Sequence, residues 1–173
     1  MTRAGATAKQ RGTEARMSHL AAIALGSNLN SPFGDRAANL TEALRRIGAL
    51  GHVKAISTFH DTEPVGFLDQ PRFLNAAALI ETTLEPEKLM VALLAVEREM
   101  GRTREGVMAK GPRVIDLDLL LYDARILSTA DLTLPHPAMH ERGFVLAPLA
   151  EIAPQMTHPV LKLTVMEMLQ RLD

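Results

Sequence analysis

Hydrophobic and polar side chains follow two periods along this chain, and the period assigns most of its elements. Leu20–Leu25 (Leu-Ala-Ala-Ile-Ala-Leu) is a short apolar run stopped by Gly26-Ser27-Asn28, the pattern of a buried strand. In Arg36–Leu50, residues Leu40, Ala43, Leu44 and Ile47 form one helical stripe that ends before Gly51. Val53–Phe59 predicts a second strand. Phe73–Thr83, opening Phe-Leu-Asn-Ala-Ala-Ala-Leu-Ile, predicts a third. Between them Asp61–Arg72 holds Pro64, Gly66 and Pro71, which predicts a loop of unusual length, and such loops in compact domains are commonly functional. Pro86 marks the start of a second helix whose apolar face is Leu89, Met90, Leu93, Val96 and Met100, ending at Gly101. Gly111–Tyr122 predicts a fourth buried strand, followed by a short hairpin over Tyr122–Leu127. Val145–Ile152 is a helical or extended apolar piece ending at Pro154, and Thr164 with Glu167 forms a capping box for a last helix through Leu172. The order β-α-β-β-α-β with a C-terminal addition predicts an α+β fold. Its core is a ferredoxin-like split β-α-β unit, with a predominantly antiparallel sheet flanked by helices.

Composition narrows this picture in a few places. The length of 173 residues suits one domain, expected over residues 19–173. Residues 1–18 carry Arg3, Lys9, Arg11 and Arg16 against Glu14 and almost no apolar surface. They are expected to be a disordered extension, with Met17 a candidate start. A net charge of −1 gives no global reason to expect nucleic acid or an anionic membrane as partner. The absence of cysteine excludes a disulfide framework and a thiolate metal site, and it suits a reducing cytoplasm. No run of 18 apolar residues predicts a membrane span. Aromatics are scarce, with one Tyr, five Phe and no Trp.

The chemistry concentrates in Gly-Pro-Arg-Val-Ile-Asp-Leu-Asp-Leu-Leu-Leu-Tyr, residues 111–122. Strand alternation puts Ile115, Leu117, Leu119 and Leu121 on one face and Asp116 and Asp118 on the other, the two carboxylates roughly 6–7 Å apart at the backbone. Burying two anions on one strand is costly unless a cation compensates them. Arg113 alone does not readily neutralise both, whereas an oxygen-coordinated divalent metal does, and such ions commonly serve phosphate chemistry. The plainer reading is one ion-paired Asp and one solvated at a sheet edge. From Arg98 to Arg113 run four arginines and Lys110, punctuated by Gly101, Gly106 and Gly111. A basic loop feeding a two-carboxylate strand is what polyphosphate transfer needs, since charge develops on several oxygens at once. His136 and His140 have i, i+4 spacing, but Pro135 and Pro137 flank His136 and no third ligand is evident, so zinc is not expected. Neither a P-loop nor a Gly-x-Gly-x-x-Gly motif occurs. In a chain this poor in aromatics, Phe73 beside Asn75 and Phe144 beside Gly143 suit a flat heterocycle held between rings.

Several short motifs then fall into one series: Gly26-Ser27-Asn28, Thr62-Glu63-Pro64-Val65-Gly66, Phe73-Leu74-Asn75-Ala76, Gly101-Arg102, Gly111 through Asp118, and Pro135-His-Pro through Glu141-Arg-Gly-Phe144. From about Leu20 onward the chain resembles the 6-hydroxymethyl-7,8-dihydropterin pyrophosphokinase family of folate biosynthesis. The resemblance implies transfer of pyrophosphate from ATP to the hydroxymethyl group of a dihydropterin, with release of AMP. It further implies two magnesium ions on Asp116 and Asp118, with Arg102 and Arg113 neutralising the polyphosphate. Arg104, Lys110, Thr133, His136 and Arg142 match ATP-contacting positions. Phe73 and Phe144 would stack on the pterin, while Asn75, Thr62 and the backbone near Val65 meet its polar edge. The chain departs from the family pattern at His60, where Tyr is frequent, at Ala109, and at Lys110, where a Trp is frequent. ATP and the pterin are the expected partners of a monomer, with no nucleic acid and no membrane. Two other readings stay open on the residues alone: a small nucleotidyltransferase using Asp-x-Asp, and a ferredoxin-like module that binds a nucleotide without turning it over.

Overall fold

A computed structural model describes residues 17–102 and 111–173. The first strand, β1 (His19–Ser27), is followed by helix α1 (Arg36–Ile47) and strands β2 (His52–Ile56), β3 (His60–Thr62) and β4 (Phe73–Thr82). Helix α2 (Pro86–Glu99), strand β5 (Asp116–Tyr122), the short strands β6 (Leu127–Ser128) and β7 (Thr133–Leu134), and helices α3 (Gly143–Ile152) and α4 (Val165–Gln170) complete the order. The main sheet runs β2-β4-β1-β5, with β3 also paired to β4, and every pairing is antiparallel. Leaving aside β3, that is the split β-α-β order of a ferredoxin-like sheet.

The helices start and stop where local chemistry allows. Asp35 caps α1 by accepting the Ala38 N–H at 2.9 Å, and the Gly48 N–H closes the other end onto the Leu44 carbonyl. Pro86 opens α2, where its missing N–H costs nothing. Both helices pack on one sheet face. There Leu40, Ile47, Leu89 and Leu93 meet Ile23, Ile80, Ile115 and Leu117, all essentially inaccessible to water. Truncating any one of them to Ala would cost roughly 2–5 kcal/mol. Helices α3 and α4 cover the opposite face through Val145, Leu146, Leu149, Val165 and Met168. The sheet between is lined with Ala21, Ala22, Ala76, Ala77 and Ala78, whose small side chains let both layers approach. Among the described residues no helix is long and apolar enough to cross a membrane.

Three local expectations are revised and one that was open is settled. The loop between the second and third predicted strands is shorter than expected, because His60–Thr62 adds to the edge of β4. The expected hairpin over Tyr122–Leu127 is a turn instead, and β6 pairs with β7 rather than with β5. The apolar piece ending at Ile152 is helical. Finally, Leu121 does not share a face with Leu119. The register of β5 slips against β1 between Ala22 and Ile23, making Leu120 the extra residue of a bulge. Leu121 therefore packs with Leu120 under α3, and Tyr122 turns back to the α1–α2 side. The slip lies beyond Asp118, so both carboxylates keep their common face. The expected extension, 1–18, falls outside the described residues except for Met17 and Ser18.

Candidate active site

The sheet register builds the site. Asp116 lies opposite Gly26, Gly26 opposite Asn75, and Asp118 opposite Ala24. Residues opposite one another in a ladder share a face, so Asp116, Gly26 and Asn75 form one row and Asp118 and Ala24 the next. That face opens into a cavity of about 420 Å³, walled on the far side by Arg142, Phe144 and Val145 at the start of α3. Its floor is open because Gly26 has no side chain. A Cβ there would sit 3.1 Å from Asn75 Oδ1 and 3.8 Å from Phe73 Cδ1.

The two carboxylates differ in surroundings. Asp116 accepts from Arg102 Nη1 at 2.6 Å and from Arg113 Nη1 at 3.1 Å. Arg102 also reaches the Ile115 carbonyl and the carboxylate of Glu97, a residue only 2% exposed in the last turn of α2. Burial alone would lower the Arg102 guanidinium, but Asp116 and Glu97 outweigh it and hold it above its ordinary value. Burial also raises the Glu97 carboxyl, against the pull of Arg102. Asp118 accepts no hydrogen bond from any described residue. Among the described residues its ion-pair partner is His136 Nε2 at 3.9 Å. Its carboxyl is pushed up to about 7, first by burial and then by the charge of Asp116, with Arg142 opposing. Burial and Arg142 keep the His136 imidazole below its usual range.

The apolar half of the cavity holds Phe73 and Phe144, each faced by a guanidinium, Arg113 at 5.4 Å and Arg142 at 5.8 Å from the ring centroids. Asn75 donates from Nδ2 to the Thr62 hydroxyl, and Val65 lines the mouth. The fold therefore brings Arg102, Arg113, Asp116, Asp118, His136, Arg142, Thr62, Val65, Phe73, Asn75 and Phe144 together at one site. Thr133 lies on the β6–β7 pair, exposed, and is not part of the cavity wall. Arg104, Lys110 and Ala109 lie outside the described residues. His136 sits in the loop before a 3-10 turn at Met139–Glu141, so His136 and His140 do not share a helix. His140 instead faces the His158 ring edge-on at 6.2 Å.

Two further acids, Glu63 and Glu141, line the cavity; both fall within the sequence motifs, which by themselves assign them no role. Glu97 carries a sequence signal of its own. It stands four residues after Leu93 on the apolar stripe of α2, and a charge on a buried stripe calls for a partner.

Among the described residues no three His, Cys, Asp or Glu side chains gather as a metal cluster. The donor set is two carboxylates on one strand face, one of them poorly compensated. Hard oxygen donors in small number, beside a cavity with arginines, fit magnesium. That ion keeps several waters and takes its remaining ligands from substrate phosphates.

An antiparallel split β-α-β sheet that presents two carboxylates and convergent guanidinium groups to one cavity is the build of a small α+β enzyme for polyphosphate transfer. Residues 22–154 match the family model described as 7,8-dihydro-6-hydroxymethylpterin-pyrophosphokinase (HPPK), and the chain belongs to that family. It is 45% identical over 141 residues to the 2-amino-4-hydroxy-6-hydroxymethyldihydropteridine pyrophosphokinase of Bacillus subtilis, covering 80% of this chain and 81% of that protein. The Haemophilus influenzae protein of the same name is 45% identical over 139 residues, covering 79% and 83%. The folic acid synthesis protein fol1 of Pneumocystis carinii is 39% identical over 83% of this chain, which spans only 19% of that longer protein. The fold is shared with the crystal structure of wild-type Plasmodium falciparum HPPK-DHPS, with a TM-score of 0.68 at 13% identity over 89% of this chain and 44% of that one. The chain is thus an enzyme of the pyrophosphokinase class, transferring pyrophosphate from ATP to a dihydropterin in folate biosynthesis.

Proposed function

We propose that Asp116 and Asp118 hold two magnesium ions on the ATP polyphosphate and that Arg102 and Arg113 neutralise the same phosphates. In this reading His136 and Arg142 meet the nucleotide, joined by Arg104, Lys110 and Thr133. Phe73 and Phe144 clasp 6-hydroxymethyl-7,8-dihydropterin, whose polar edge meets Asn75, Thr62 and the backbone near Val65. One observation carries the reading: two carboxylates face a single cavity from one strand, and among the described residues arginines hydrogen-bond only to the first of them.

Bound magnesium would supply positive charge and Lewis acidity at the phosphate oxygens. The residues orient the rest. The stacked pterin presents its hydroxymethyl oxygen to the β-phosphorus. A new O–P bond forms, the hydroxyl proton passes to solvent, and the bond from the β-phosphorus to the oxygen bridging to the α-phosphate breaks, its electron pair leaving with AMP. Arg102 and Arg113 are preorganised for the charge that develops there, since Asp116 already holds both. We further assign a monomer working in the cytoplasm, a compartment that a chain without cysteine suits.

Chromatography of a quenched mixture of protein, ATP, magnesium and the pterin should show AMP and a pterin carrying two phosphates. Asp116→Ala and Asp118→Ala should each abolish turnover with the fold intact. Arg102→Ala and Arg113→Ala should lower kcat far more than they weaken pterin binding. Near-normal activity of either aspartate variant in magnesium would overturn the metal assignment.

A further inference from the structure

Asn28 directly follows β1 and is buried, 2% exposed, yet it is not part of the cavity wall. Its side-chain Oδ1 accepts the Arg113 backbone N–H at 2.8 Å, while its own backbone N–H donates to the Arg113 carbonyl at 3.1 Å. The Arg113 main chain is thereby gripped on both sides. From the other end of the same amide, Nδ2 donates to Gln70 Oε1 and to the Pro71 carbonyl, each at 2.9 Å. The partners dictate the amide's orientation, because an N–H can only donate and a carbonyl only accept. Gln70 in turn donates to the Phe67 carbonyl at 2.6 Å, drawing the end of that loop onto itself.

A residue that merely capped its own turn would bond to its neighbours. This one joins segments 43 and 85 positions away in the chain. Both lead into the cavity. Pro71 is two residues before Phe73, and Arg113 carries the guanidinium that spans Phe73 and Asp116. We propose that Asn28 is a positioning residue for the transfer. Its amide sets the spacing between the phosphate-side Arg113 and the pterin-side Pro71–Phe73 segment, and so the alignment of the attacking oxygen with phosphorus. The inference rests on the assignment of Arg113 to the phosphates and Phe73 to the pterin. Alignment is where a small displacement is expensive, since a shift of about 1 Å costs on the order of a hundredfold in rate.

The test is a split between rate and affinity. Asn28→Ala removes both arms. Asn28→Asp keeps an acceptor for the Arg113 N–H but puts a carboxylate oxygen against the Pro71 carbonyl. Both should lower kcat by about tenfold to a hundredfold. Calorimetric Kd values for the pterin alone, and for a non-hydrolysable ATP analogue with magnesium alone, should stay within about threefold of wild type. Gln70→Ala leaves the bonds between Asn28 and Arg113 in place, removes the bonds of the Gln70 side chain to Asn28 and to the Phe67 carbonyl, and keeps the assay usable if the Asn28 variants fold poorly. It should lower kcat several-fold, and adding it to Asn28→Ala should change little further, as expected of two residues acting through one link. A kcat near wild type in Asn28→Asp, losses of Kd as large as those of kcat, or full additivity with Gln70→Ala would each overturn the proposal. Arg113→Ala reports separately on the assignment beneath it. An unimpaired Arg113→Ala removes both, whereas impaired Arg113→Ala beside unimpaired Asn28 variants removes only the role of Asn28.

Discussion

Asp116 and Asp118 are two residues apart and electrostatically unlike. The first is held by two guanidinium groups, while the second, half-buried like the first, has its carboxyl pushed up to about 7. A carboxyl raised in the folded state from 3.8 weighs against folding at high pH. The unfolded chain ionises it from about pH 4 and the folded chain only near pH 7, so its destabilising effect grows across that window and is complete above it. Asp118→Asn should therefore raise the stability of the metal-free protein at about pH 8 by roughly 1–2 kcal/mol, and its melting temperature by about 2–8 °C. The advantage should vanish near about pH 4, and turnover should be lost at every pH. An Asn variant less stable than wild type at the higher pH would show that Asp118 is compensated after all. Gly26 makes a second case at this scale. An added Cβ would sit 3.1 Å from Asn75 Oδ1, and Asn75 can yield only by straining its bond to Thr62. Gly26→Ala is expected to raise the pterin KM about tenfold while changing kcat less, the signature of a lost binding contact rather than lost chemistry. Steady-state kinetics in pterin and ATP separately would decide it.

At the scale of elements, helix α4 is the one whose stability hangs most on its ends. Six residues cannot hold a helix in water by propensity. It persists because Thr164 accepts the Glu167 N–H at 3.1 Å, Glu167 accepts the Thr164 N–H at 3.1 Å, and Val165 and Met168 are buried against α3. Removing the cap with Thr164→Ala should cost about 1 kcal/mol, a drop of about 2–4 °C in melting temperature. kcat should stay unchanged, because α4 meets the cavity only through α3. A fall in kcat alongside the melting temperature would mean that α4 also sets the position of Phe144.

The whole molecule carries its own reporter in Tyr122, the single tyrosine of the chain. It is fully buried, its hydroxyl donates to the Leu84 carbonyl at 2.8 Å, and burial, with Glu85 and Asp123 adding, pushes its phenol up to about 12. An unfolded chain would release that proton near about pH 10. The unfolded state thus sheds the proton first, and stability should fall as pH rises from about 10 toward 12. In an alkaline titration the phenolate absorbance band should stay silent through about pH 11 and then appear together with loss of the circular dichroism of the fold. A phenolate forming near pH 10 in folded protein would place Tyr122 in contact with water.

Periodicity, turn residues and composition sufficed for three of the four helices, the four main strands and their ferredoxin-like order, because a helical stripe or a buried strand is written in neighbouring positions; the helical state of Val145–Ile152 stayed open. Asp116 and Asp118 stood out for the same local reason, as charges inside an apolar run, and Phe73 and Phe144 because aromatics are rare here. What depended on a distant partner was not readable. The face of Leu121 follows from a register slip against Ala22 and Ile23 about a hundred residues earlier, which alternation along β5 alone cannot express. The pairing of β6 with β7, the meeting of His140 with His158, and the grip of Asn28 on Arg113 and Pro71 are likewise closed by the tertiary fold. The asymmetry between the two aspartates is decided there as well. Sequence spacing makes them equivalent; their different fates come from which arginines the packed sheet and α2 bring within reach, since the two side chains are about equally exposed.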